Sequence, residues 1–398
     1  MTARTVLISG ASVAGPALAY WLARRGLHPV VIERADGLRL GGQNVDIRGA
    51  GREVARRMGI EGDIRAASTG ERGLRFVDDA GRTCAEFPAG TADADSFTAE
   101  LEILRGDLAR ILVERSRPHA EYIFGDVITG LRDEGDAITA TFARGAPREF
   151  DLVIAADGVR STTRALVFGD EPEVRELGLH MTYMTIPRAP SDDAWWRWYN
   201  APGGRAVTLR PDNVGTTRAT LTFMFEPPGL ERLAPAEQRE ALRRVFAGAG
   251  WQAPRVLAAL DAAADLYLDA TAQVRAPRWS RGRFALVGDA AYCPSPITGM
   301  GTSLALVGAY VLAGELARHA HHGDAFAAYE RVLRPYVERA QRLPPGAPRL
   351  AHPKTRTGVA ALRLGLRLAA LASRLAARVT LASSERFELP DYPEPPPR

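Results

Sequence analysis

Gly288-Asp289 closes an apolar run from Phe284 to Val287, and Gly299-Met300-Gly301 opens a helical run a few residues later. A carboxylate accepts hydrogen bonds from hydroxyls, and a helix start offers free N–H groups and positive potential. Together they suit a polyhydroxylated ligand. A second constellation lies near residue 10. Thr5 to Ser9 reads as a strand and runs into Gly10-Ala11-Ser12-Val13-Ala14-Gly15. A helical pattern with Leu18, Trp21 and Leu22 follows, and Pro29 to Glu33 reads as a strand closed by an acid. Strand, glycine turn, helix, strand and acid in this order form the βαβ unit that binds dinucleotides. Gly10 allows the tight turn and Gly15 lets the helix sit close to the strand. A pyrophosphate would lie on the helix start, and Glu33 would accept from an adenosine ribose. Ser12 stands where the fingerprint has its middle glycine, and it is small enough to admit a phosphate. The third constellation is Asp151 to Ser161, a buried-type strand ending in Asp157-Gly158 with Arg160 and Ser161 behind it.

These elements need a scaffold, and the chain is long enough for two sub-domains with a large shared core. Residues 36–50 are loop-rich, and Gly49-Ala50-Gly51 reads as a helix entry because no strand precedes it. Residues 73–87 alternate as a hairpin, and Asp107 to Arg115 reads as a helix. Short strands are expected around Val127-Ile128 and Ile138 to Phe142. From 172 to 275 the pattern becomes alternating and aromatic, with antiparallel strands expected at 180–187, 204–210 and 217–226. Helices are expected at 301–320 and 324–341. A proline-rich break then leads to a basic amphipathic helix at 356–379 and a proline-rich tail. The expected fold is α/β, a Rossmann-type unit in two parts (1–171 and 276–345) around an antiparallel-sheet unit (172–275). The terminal segment, 346–398, supplies a bracing helix; lying on a membrane surface is the other role open to such a helix.

Bulk composition excludes several classes. The formal net charge is +4 with 25% charged residues, and no basic block interleaved with aromatics points to nucleic acid. No apolar run is long enough for a membrane span, and the first residues lack a leader pattern. Cys84 and Cys293 are far apart, so a reducing cytoplasm is the default. His319, His321 and His322 read as a solvated helix end without metal partners.

The three constellations together resemble the FAD-dependent class A aromatic monooxygenases, the para-hydroxybenzoate-hydroxylase-like flavoproteins. GxSxAG matches their GxGxxG, Ala156-Asp157-Gly158 their DG motif, and Gly288-Asp289 their GD motif. The resemblance spans roughly residues 1–340 and is nearest to actinobacterial antibiotic- and polyketide-modifying and tetracycline-modifying hydroxylases. It implies FAD as cofactor, NADH or NADPH as transient co-substrate, and insertion of one oxygen atom of O2 into a small aromatic or polyketide-like molecule through a flavin C4a-hydroperoxide. No side chain would act as nucleophile. It implies that Gly10, Ser12, Val13, Ala14, Gly15, Glu33 and Arg34 hold the adenosine diphosphate part. Arg105 would reach the flavin side, Val127 would pack the adenine, and Asp289 would bind ribitol beside Gly288. Pro296, Gly299, Gly301, Thr302 and Ser303 would surround the isoalloxazine. Asp157 and Arg160 would serve both FAD and NAD(P)H. Arg48 sits where family members place a residue near the mobile flavin, and it is the one candidate for a catalytic side chain. For the substrate, the alternating sheet offers Tyr183 or Met184, Trp196, Tyr199, Met224 and Phe225, with Pro294 in the pocket roof.

Three other readings remain. Flavin-dependent halogenases share the cofactor unit, and Trp196-Arg197-Trp198 resembles part of their WxWxIP box; the sole lysine, Lys354, however, lies far from where they place theirs. A flavin-dependent dehydrogenase or reductase is the second, and a non-catalytic flavin-fold binding protein the third. A monomer or a homodimer is equally compatible with the residues.

Overall fold

The apolar runs around the glycine motifs all enter one sheet. In the computed structural model, which describes residues 4–39, 41–89, 101–224, 229–375 and 387–392, a six-stranded sheet carries Thr5–Ser9 at its centre. Leu152–Ala155 lies on one side, and His28–Glu33 followed by Glu121–Phe124 on the other. Phe284–Leu286 and the short antiparallel edge strand Ser280–Arg281 complete it. Ile8 is opposite Ile154 and Val31, and the three are fully buried. Strands covered on both faces read as continuous apolar runs rather than alternations, which is why they stand out in the sequence. Glu121–Phe124 is an addition to the expected strands.

One face of this sheet is covered by the helices Ala14–Arg24, Gly301–Arg318 and His322–Ala340. Every residue of the middle helix from Ser303 to Leu316 is buried, as a helix without a polar face must be. Trp21 meets Tyr310 edge-on with ring centroids 5.0 Å apart. The other face is covered by a three-stranded sheet whose Ile128, Ile138 and Ala140 pack on Leu7 and Val153. The helix expected at Asp107 begins at Arg105 and ends at Ser116.

The alternating segment forms a seven-stranded sheet. Its order is Tyr267–Arg275, Glu173–Pro187, Thr216–Phe223, Arg205–Pro211, Trp196–Ala201, Gly73–Val77, Thr83–Pro88. The hairpin 73–88 is thus not part of the cofactor unit's layers, although it lies in the stretch 1–171. It pairs in parallel with Trp196–Ala201, against antiparallel pairing elsewhere in the sheet. One face of the sheet, with Met184, Tyr199, Leu209 and Phe223, packs on the helices Pro235–Val245 and Ala253–Ala258.

The terminal segment divides its bracing role. Helix Arg356–Leu375 puts Leu366 and Ala370 against Phe76, Ala85 and Phe87 of the large sheet. Residues 387–392 return to the cofactor unit, where Tyr392 lies on Gly314 and Phe387 stacks on Tyr336.

Candidate cofactor and substrate site

The glycine turn sits against both other motifs. Gly10 has φ of 106°, and a Cβ there would stand 2.6 Å from Ala156 O, in the Asp-Gly motif. A Cβ on Gly15 would stand 1.9 Å from Gly10 O, so the first helix starts hard against the turn. Gly288 has φ of 65°, and a Cβ there would meet Ala14 Cβ at 2.9 Å. Three segments remote in sequence therefore meet at the start of helix Ala14–Arg24, where Val13, Ala14 and Gly15 lie.

Around this junction the polar groups are ordered. The Glu33 carboxylate accepts from Ala11 N at 2.9 Å and Ala35 N at 3.0 Å. Glu33 O accepts from Asp126 N at 3.2 Å, which brings Val127 beside it; Arg34 is exposed. Arg105 donates to Ser12 Oγ at 3.1 Å and to Gly41 O at 2.6 Å, so it ties Gly41 to the glycine turn. Burial pulls its pKa below the ordinary arginine value. Asp157 accepts from the hydroxyl of Ser161 and from Thr163 N at 3.2 Å. It caps helix Thr162–Phe168, which fixes the Asp-Gly corner. Burial raises the Asp289 carboxyl, and a Cβ on Gly301 would lie 3.8 Å from its Oδ1. Arg48 N donates to Ser303 Oγ at 2.9 Å, and the Arg48 guanidinium lies 3.4 Å from Asp46. Gly299 has φ of 66° with open space around its α-carbon. Pro296 and Ile297 beside it are exposed, and Thr302 and Gly301 are half-buried.

A turn that tolerates no Cβ, a helix start behind it, a half-buried carboxylate across from it and a second helix start make a cradle that fits a flavin dinucleotide. The donor set is amides, carboxylates and one arginine, as diphosphate and polyol recognition requires.

The large sheet closes over this cradle. Asp265 lies 3.5 Å from the Cβ position of Gly41, Arg160 pairs with Asp269, and Gln273 donates to Pro294 O at 3.2 Å. Arg160 is thus spent on the opposing sheet. Alternation decides the aromatic residues: Tyr183 is half-buried on the face toward the cradle, and Met184 is in the outer core, 2% exposed. Tyr199 is a correction. It points away from the cradle into the outer core, where its hydroxyl donates to Asp79 at 2.6 Å. Trp196, three residues earlier, faces the other way under the Arg210 guanidinium, 4.4 Å from ring to cation. Met224 lies beside Gly204 at the sheet end; Phe225 falls outside the described residues.

Two groups have no motif to announce them. Arg164 is 7% exposed and donates to Ala290 O at 2.9 Å, holding the Gly288-Asp289 corner from below. Arg210 pairs bidentately with Glu71 at 2.7 and 3.0 Å, with Glu102 3.9 Å away. Burial pushes Glu71 up to about 7 and raises Glu102 as well, while these carboxylates keep Arg210 charged.

Comparison with known proteins agrees with this geometry. The FAD binding domain family matches residues 3–343. A flavin-dependent monooxygenase, eupH, of a Phoma species is 36% identical over 98% of both chains. The crystal structure of tetracycline destructase Tet(55) superposes with a TM-score of 0.81 at 34% identity, covering 98% of this chain and 99% of that one. Klebsiella pneumoniae HpxO complexed with FAD and uric acid shares the fold, with a TM-score of 0.73 at 23% identity over 92% of this chain and 93% of that one. Among the readings left open by the residues, oxygen insertion is the one these relatives support. The chain belongs to the FAD binding domain family and is one of its FAD-dependent monooxygenases.

Proposed function

We propose that this enzyme oxygenates a polycyclic aromatic or polyketide-like molecule held between loop 294–297 and the inner face of the seven-stranded sheet, with NADH or NADPH as reductant. The observation that carries the proposal is the opposition of that sheet to the start of helix Gly301–Arg318. Pro296 and Ile297 are exposed beside that helix start, and the sheet face opposite its helix-packed core bears Tyr183 and Trp196. The 34% identity to a tetracycline destructase makes a four-ring phenolic scaffold the first compound to try.

FAD, when bound, supplies hydride acceptance and activation of O2. The chain's own part is positional and electrostatic. Amides of residues 12–15 would hold the diphosphate, with Arg105 adding positive charge. Glu33 would fix the ribose and Asp289 the ribitol. The N–H groups of Gly301, Thr302 and Ser303 would face the ring edge where negative charge gathers on reduction. Arg48, anchored through Ser303, would stand at the same edge. The closed sheet would keep water from the reacting atoms. The unit division proposed with this is cofactor at 1–171 and 276–345, less the hairpin 73–88, which serves the substrate sheet. Both cysteines are unpaired and buried, which supports a cytoplasmic location.

The test is to reconstitute the protein with FAD and follow NADPH consumption with tetracycline and a panel of polycyclic phenols. Substrate-stimulated consumption with a product heavier by one oxygen is expected. Consumption across the whole panel without an oxygenated product would reject the proposal in favour of a reductase.

A further inference from the structure

Beside the loop that leads into the cofactor cradle, one end of the large sheet and the segment 341–354 line an open cavity of about 880 Å3. That is the size of a drug-sized ligand site. Its charged lining is one-sided: Arg175, Arg275, Arg342, Arg349 and Lys354 against a single acid, Glu176. None of these five cations forms an ion pair among the described residues, although most arginines elsewhere in the chain are paired. Arg275 makes only a neutral bond, to Gln273 Oε1 at 3.2 Å. Lys354, the sole lysine of the chain, is placed by its backbone, since Gly203 N donates to Lys354 O at 2.8 Å. Five cations against one acid around one concavity repel one another and lower the free energy of an anion that enters.

The floor is built rather than incidental. Gln273 and Gln341 are 2% and 7% exposed. Gln273 Nε2 donates to Gln341 O at 2.7 Å and to Pro294 O at 3.2 Å. Gln341 Nε2 donates to Val274 O at 2.7 Å and to Cys293 O at 3.2 Å. The cavity floor is therefore bonded to the loop that leads into the start of helix Gly301–Arg318.

We propose that this cavity is a recognition site for a small organic anion, the recognised group being a carboxylate or a phosphate. The anion has two possible sources: an acidic arm of the oxygen acceptor, or the phosphates of the nicotinamide co-substrate. The site stands on its own geometry, and calorimetric binding tests it whether or not oxygen transfer is found.

The holoenzyme is titrated calorimetrically with pyrophosphate, 1-hydroxy-2-naphthoate, neutral 1-naphthol, NADH and NADPH, at low and high salt. The comparison is the double variant Arg342→Gln/Arg349→Gln, with Lys354→Gln as a milder second variant. FAD content and melting temperature report whether each variant is folded. At least one anionic probe is expected to bind the wild type. Its binding is expected to weaken at least tenfold in the double variant and several-fold in Lys354→Gln and in high salt, with 1-naphthol unaffected. Weakening of the naphthoate alone identifies the acceptor's acid as the source, and weakening of NADPH identifies the nucleotide. Failure of every anion to bind the wild type, equal binding by folded variants, or equal loss of 1-naphthol binding would overturn the proposal.

Discussion

Asp289 carries its carboxylate into a half-buried corner facing Gly301, with Arg164 holding the backbone beneath it. A charged acceptor of ribitol hydroxyls contributes about 1.5–3 kcal/mol, so Asp289→Ala should weaken FAD binding by roughly 10–150-fold. Fluorescence titration of the apoprotein measures this, and an unchanged affinity would remove Asp289 from the ribitol role. Glu71 makes a prediction about pH. Its carboxyl titrates at about 7 in the folded protein, against roughly 4.3 in an unfolded chain. The folded state therefore holds a proton that the unfolded state has released. Stability from this group is complete below the unfolded pKa and is lost as the pH rises to about 7. Between pH 6 and pH 8 the loss is on the order of 1 kcal/mol. Thermal melts across that range should show it, and Glu71→Gln should flatten the slope. At this scale the glycine motifs, Glu33 and Asp289 are legible because each obeys a local rule. Arg164, Glu71 and Arg210 are not, since their partners lie on strands and corners that only tertiary structure brings near.

At the scale of elements, the buried helix Gly301–Arg318 is held by close approach. A Cβ on Gly308 would stand 1.9 Å from Tyr292 Oη, and that hydroxyl is itself 2.9 Å from the hydroxyl of Tyr329. Gly308→Ala should cost about 1–3 kcal/mol through overpacking. Adding Tyr292→Phe removes the offending oxygen, so the double variant should recover part of the loss; denaturant unfolding of the four-member cycle checks this. Additive losses would mean that the helix yields elsewhere. The parallel strands are legible as runs of Val, Ile and Leu. Glu121–Phe124 is not, because a four-residue strand with one polar end carries too little periodicity. Tyr199 shows the limit of alternation: the pattern says that neighbours face opposite ways, but not which face meets the cofactor unit.

Over the whole molecule, the tail restores contact between distant parts. Tyr392 is 5% exposed and donates to the buried Glu315 at 2.5 Å, and its ring lies 5.3 Å from that of Tyr310. Tyr392→Ala should cost about 3 kcal/mol, as truncation of a buried aromatic does, with a lower melting temperature and retained FAD binding. The two-unit architecture is legible from the switch between continuous and alternating apolar patterns. The parallel join of hairpin 73–88 to Trp196–Ala201 is not, because no local signal encodes a pairing across more than a hundred residues.

The order of strands in the six-stranded sheet carries a consequence for biosynthesis. Thr5–Ser9 and His28–Glu33 leave the ribosome early, yet Phe284–Leu286, which pairs with Leu152–Ala155 in the same sheet, and the covering helix Gly301–Arg318 come only after the whole large sheet has been made. A growing chain must therefore carry half a hydrophobic layer uncovered through most of its translation, the condition under which nascent proteins engage chaperones.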